Sequence, residues 1–134
     1  MPQSDVYLGN PNLKKANTEI QFTEENVKEF LKCKDDPVYF ARQYIKIVNV
    51  DEGLVPFTMW PFQEKLIKNF HKNRFNICMM PRQTGKSTTS VSYLLHYAIF
   101  NDNINIGILA NKAATARDLL GRLQTAYENL PKWM

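Results

Sequence analysis

The run Met80-Pro81-Arg82-Gln83-Thr84-Gly85-Lys86-Ser87 sets a glycine, a lysine and a hydroxyl side by side at the head of a helix-like stretch. Residue types in that order are suited to holding the phosphates of a nucleotide. Gly85 has no Cβ, so main-chain N–H groups can close around phosphate oxygens. The helix that follows turns its positive N-terminal end on the same anion. Lys86 brings a mobile cation to the β- and γ-phosphates of ATP, and the Ser87 hydroxyl completes the coordination of a Mg²⁺ ion. Arg82 would set a guanidinium against the γ-phosphate where charge develops, so Arg82 and Lys86 are the catalytic candidates. Gln83, Thr84 and Thr88 complete the phosphate-binding candidates, although Met80 stands where the usual pattern has its first glycine.

Upstream, Trp60-Pro61-Phe62-Gln63 opens another helix. The Gln63 amide could pair with N6 and N7 of adenine while the Phe62 ring covers the base; the alternative is a surface glutamine on an amphipathic helix. His71 and His96 have no partners at ligand spacing and read as structural. Cys33 and Cys78 form neither a disulfide framework nor a metal pattern, which suggests a reduced, intracellular setting, with Cys78 a small buried strand residue.

These groups need elements to position them. Residues 75–80 form an apolar run that predicts a strand leading into the loop, and residues 87–100 a helix leading out. Residues 104–110 predict a second strand, and the spacing of Ala116, Leu119, Leu120, Leu123 and Tyr127 a last helix stopped by Pro131. Strand and helix alternating with crossover-sized connections argue a parallel α/β sheet. Ahead of this lie an irregular arm over residues 1–16, a helix capped by Thr23 with Phe22, Val27, Phe30 and Leu31 as its apolar contacts, and a helix begun by Asp36-Pro37. A short strand over residues 45–50 then ends at the turn Asp51-Glu52-Gly53. With 134 residues, 44% of them hydrophobic and 22% charged, the chain has room for one core. A net charge of +4 is compatible with a nucleic-acid partner without requiring one. No stretch is long enough to cross a membrane, and no signal peptide is visible at the polar start.

A P-loop ATPase also needs an apolar strand ending in an acid that organises Mg²⁺. Residues 45–52 end in Asp51-Glu52, but they precede the loop and alternate like a half-exposed strand, and the strand at 104–110 ends at Asn111. The chain thus reads as stopping before its catalytic acids.

Taken together, Trp60-Pro61-Phe62-Gln63, Pro81-Arg82-Gln83-Thr84-Gly85-Lys86-Ser87-Thr88 and Gly107-Ile108-Leu109-Ala110-Asn111-Lys112 resemble the large terminase subunit of myovirus-type tailed phages. Asn10-Pro11-Asn12-Leu13-Lys14-Lys15-Ala16-Asn17 and Lys34-Asp35-Asp36-Pro37-Val38-Tyr39-Phe40-Ala41 are similar to that family's lead-in, so the likeness covers nearly the whole chain. The family is the ATP-driven motor that packages double-stranded DNA into a preformed capsid, and it joins a P-loop ATPase domain to a nuclease domain. The resemblance implies an α/β fold with a P-loop NTPase-like parallel sheet flanked by helices, incomplete here. It divides the chain into a helical lead-in over 1–58 and the first part of the ATPase domain over 59–134. By that resemblance Gln63 reads adenine, Arg82 acts in cis, and Lys86 and Ser87 contact phosphate and Mg²⁺. Implied partners are DNA, the portal protein, the small terminase subunit and sister subunits in a ring. The implied location is the host cytoplasm, docked transiently on the procapsid portal. Alternatives are a helicase-like superfamily 2 translocase fragment, where an upstream glutamine with Thr-Gly-Lys-Ser also occurs, or a catalytically inactive fragment that binds nucleotide or partners.

Overall fold

The computed structural model describes residues 6–134. The chain is a mixed α/β fold in which five helices accompany two separate two-stranded antiparallel sheets among the described residues. The first sheet, β1 (Val6–Tyr7) with β2 (Asn10–Lys14), replaces the irregular arm expected over residues 1–16; residues 1–5 lie outside the described residues. Its turn is Leu8-Gly9, with φ of 48° and 76°. Two positive φ values match the twist of a tight hairpin, but leucine is an unusual residue to supply one of them, which hid the turn from sequence reasoning.

Thr23 caps α1 (Glu24–Asp35), its hydroxyl oxygen accepting from the Asn26 N–H at 3.2 Å. Asp36 then caps α2 (Pro37–Tyr44), its carboxylate accepting from the N–H of Val38 and of Tyr39 at 2.9 and 3.1 Å. Proline at the first helical position loses no bond, because its N–H would have had no intrahelical partner. The face of α1 that packs differs from expectation. Phe22, Val27 and Leu31 are exposed, whereas Cys33 is fully buried and Phe30 meets Phe100 with ring centroids 4.9 Å apart. Next, β3 (Lys46–Asn49) pairs with β4 (Gly53–Pro56) around the expected turn, where Gly53 takes a φ of 74°.

Three helices complete the chain: α3 (Pro61–Lys72), α4 (Lys86–Phe100) and α5 (Ala113–Glu128). The central one is α4, which packs against α2, α3 and α5. Its buried positions are Thr89, Val91, Ser92, Leu95 and His96. The core joins Cys33, Val38, Phe40, Ala41, Ile45 and Phe57 with Ile67, Leu95 and Ala126, so it runs straight through the boundary expected at residue 58. The N-terminal helices thus brace the loop-bearing helix directly.

The expected parallel sheet does not form among the described residues. Residues 75–80 and 104–110 carry no strand pairing, although both line the hollows beside α4. A parallel ladder is stable when both of its faces are covered. Here Phe75, Ile77 and Met79 are 83, 95 and 92% exposed, so one face of the first segment has nothing against it. Cys78 is exposed as well, contrary to the buried strand residue expected there.

Candidate phosphate-binding loop

The loop is held in a bend that ordinary residues avoid. Gln83 has a φ of 63°, and Gly85, the residue preceding α4, lies in the left-handed region at φ 72°, ψ 16°. A Cβ at Gly85 would stand 2.5 Å from the Gln63 Nε2, so both backbone conformation and space select glycine. Thr84 donates its hydroxyl proton to the Pro81 carbonyl at 3.0 Å. The Lys86 ammonium folds back across the bend and donates to the same carbonyl at 3.2 Å. These bonds close residues 81–86 into a ring.

Two features make the mouth of this ring suited to an anion. The first intrahelical bond of α4 is donated by the Thr89 N–H to the Gly85 carbonyl at 2.9 Å, and the Thr89 hydroxyl donates to the same oxygen at 2.9 Å. The N–H groups of Gly85, Lys86, Ser87 and Thr88 therefore have no acceptor among the described residues, and no side chain caps the helix. Uncapped N–H groups at the head of a 15-residue helix, with a lysine beside them, form a concentrated positive end. Ser87 and Thr88 are half-buried in the first turn. Arg82 is exposed and joins no ion pair among the described residues.

Gln63 is not the surface glutamine of the alternative reading. It is 4% exposed, and both ends of its amide are engaged. Its Oε1 accepts from the Trp60 N–H at 2.9 Å, and its Nε2 donates to the Thr84 carbonyl at 3.1 Å. The partners settle which atom is oxygen, since one is a donor and the other an acceptor. Gln63 thus ties the start of α3 to the phosphate loop. The signal for half of this was present in the sequence: a glutamine at the third helical position commonly reaches back to the N-cap N–H. The long-range half, to Thr84, was not. Phe62 and Trp60 are exposed at the same helix start, Phe62 at about half its surface. An ion pair between Arg42 and Glu64, which sequence reasoning missed, anchors α3 to α2 one residue further on.

Groups with displaced pKa values lie away from the loop, around α1, α2 and α4. Hydrogen bonds from the Tyr39 and Tyr44 hydroxyls hold the Glu29 carboxylate below its ordinary range. Burial pushes the Cys33 thiol up to about 12. Burial also lowers the pKa of His96, whose Nε2 donates to the Cys33 carbonyl at 2.9 Å. Cys33 and His96 are buried in the core, in keeping with a structural role for His96, while Glu29 is half-buried beside Tyr39 and Tyr44. No model of a known protein family matches this chain.

Proposed function

We propose that this chain binds the triphosphate of ATP at residues 81–88 and forms the nucleotide-binding part of a DNA-packaging motor of the large-terminase type. The observation that carries the binding step is the uncapped head of α4, with free N–H groups, a left-handed Gly85 and Lys86 lying across the bend. A triphosphate fits that arrangement, because it supplies the acceptors those donors lack and a charge for Lys86 to follow. Among the described residues no group of three or more His, Cys, Asp or Glu could hold a metal ion. Mg²⁺ would therefore arrive with the phosphate oxygens and meet the Ser87 hydroxyl. Arg82, exposed and without an ion-pair partner among the described residues, is placed to turn toward the γ-phosphate.

The motor assignment rests on the resemblance of the Trp60-Pro61-Phe62-Gln63, loop and Gly107-Ile108-Leu109-Ala110-Asn111-Lys112 motifs. In this reading residues 75–80 and 104–110 belong to a parallel sheet completed in the assembled motor. Double-stranded DNA, the portal protein, the small subunit and sister subunits are its partners, in the host cytoplasm. Gln63 keeps the loop in register with α3 and, on binding, could exchange one of its bonds for the adenine edge.

An ATP titration with Mg²⁺ tests the binding step. The unchanged chain is expected to bind saturably, and Lys86→Ala to lose about tenfold or more, the worth of a charge-assisted phosphate contact. Equal affinity in that variant would remove the loop as a phosphate site. Gln63→Ala in the same titration separates two roles. A loss confined to ATP over GTP marks base reading, and an equal loss for both marks a tether alone.

A further inference from the structure

The charge of this chain is unevenly placed. Six of its 17 lysines and arginines fall between Lys65 and Asn101, and none of its 13 aspartates and glutamates does. The whole basic excess of +4 therefore arises in that stretch, and the rest of the chain carries more acids than bases. Arg82 and Lys86 belong to the phosphate loop, whereas Lys65, Lys68, Lys72 and Arg74 do not. At about 100° per residue, Lys65, Lys68 and Lys72 fall within an arc of about 60° on α3, over a rise of about 10 Å. All three are exposed, opposite the buried Gln63, Leu66 and Ile67, and Arg74 follows just past the helix end. None of the four joins an ion pair among the described residues, and the one carboxylate on α3, Glu64, is taken by Arg42. Neighbouring like charges without counter-charges repel one another, and a polyanion relieves that repulsion.

The stripe runs into a hollow of about 660 Å³ between the end of α3, the middle of α4 and residues 105–107. Lys72 and Arg74 line it together with Phe70, Tyr93, Tyr97 and Asn105, and no aspartate or glutamate does. Tyr97 is 41% exposed, and Phe70 and Tyr93 are half-buried, so aromatic surface is open to a flat ring. Aromatic surface beside a row of cations is the composition that holds single-stranded nucleic acid, the cations following the phosphates and the rings taking unstacked bases. We infer that the outer face of α3 and this hollow bind a single-stranded stretch of nucleic acid, its phosphates on Lys65, Lys68, Lys72 and Arg74 and one base against Tyr97. The Asn105 amide brings a donor and an acceptor to the edge of that base. Bases inside a duplex are stacked and cannot enter such a hollow, so this surface calls for an unpaired strand where the motor reading calls for duplex DNA. It stands apart from the nucleotide site, because no residue of 81–88 lines the hollow.

The test is fluorescence anisotropy of the full chain with a short labelled oligothymidylate. No nucleotide is added, so a failure of the phosphate loop to bind ATP does not affect the outcome. Saturable binding is expected between about 50 and 200 mM salt, with log affinity falling against log salt at a slope of about −3, or about 0.7 for each phosphate contact. Lys68→Gln and Lys72→Gln, at exposed positions that leave the fold intact, should each flatten that slope by about 0.7. Lys28→Gln, an equal loss of charge on the exposed side of α1, should leave it unchanged. Tyr97→Ala should weaken binding about tenfold without altering the slope, and Tyr97→Phe, which keeps the ring, should bind as the unchanged chain does. A duplex of the same length should bind more weakly than the single strand. Absence of saturable binding overturns the inference, and so does an equal flattening by Lys28→Gln, which would reduce the effect to net charge. Full affinity in Tyr97→Ala, or a duplex held as tightly as the single strand, overturns it too.

Discussion

The two sides of α4 differ in how completely they are built. Toward α2 and α3, side chains interlock: Phe40 is fully buried, its ring lies 5.4 Å from that of His96, and Gln63 bonds the loop to α3. Toward residues 75–80 and 104–110, the chain passes α4 without pairing, and Ile77 and Met79 face solvent. Both sides are rich in apolar residues. What separates them is where their backbone hydrogen bonds must be found. Helices satisfy their backbone within themselves and need only a face to pack, whereas a strand has no internal hydrogen bonds and needs a neighbour. The loop lies at the junction, held from the built side by the Gln63 amide on the Thr84 carbonyl, closed on itself by the Thr84 and Lys86 bonds to Pro81, and entered from the unbuilt side.

Truncation on each side is the largest test of that contrast. Phe40→Ala should cost about 3–5 kcal/mol in urea unfolding, because it empties a closed core, while Ile77→Ala should stay within about 0.5 kcal/mol. Similar losses from both would mean that residues 75–80 are packed after all. At the junction, Gly85→Ala should cost about 1–2 kcal/mol, the expense of placing a Cβ in the left-handed region. It should also abolish ATP binding, since Gln63 must move aside for the new methyl group. An alanine variant of full affinity would show that the bend is not the one that binds.

The smallest expected effect is a pH slope confined to the built side. Burial lowers the pKa of His96 in the folded chain from its ordinary value of 6.5, with the charge of His71 opposing protonation as well. The unfolded chain therefore takes up a proton first, and stability falls as pH drops below 6.5 toward the lower folded value. Above 6.5 the contribution is fully present. Unfolding midpoints measured between neutral pH and pH 5 should decline, and His96→Leu should flatten that part of the decline. An identical slope in the variant would assign it to other groups.

Short-range chemistry was legible before any coordinates. Thr23, Asp36-Pro37, Trp60-Pro61 and Gly85 each mark a helix start through bonds or backbone preferences that reach no further than three residues, and the helices begin there. The strand that ends at the turn Asp51-Glu52-Gly53 was legible for the same reason, while its partner strand β4 and the hairpin at Leu8-Gly9 were not, the latter for want of its usual turn residues. Of the candidate site, the loop and its lysine could be named from residue types. The engagement of Gln63 with Thr84 could not, because those residues are 21 apart and meet only once α3 packs on α4.

So residue order alone determined the capped helices and the glycine-lysine-serine bend, whose causes are local. Tertiary packing decided that Gln63 bonds the loop at Thr84, that Cys33 rather than Val27 or Leu31 enters the core, and that residues 75–80 stay unpaired. The physical reason is the same in each case. A contact between distant residues forms only where enough apolar surface is buried around it to offset the entropy of bringing them together.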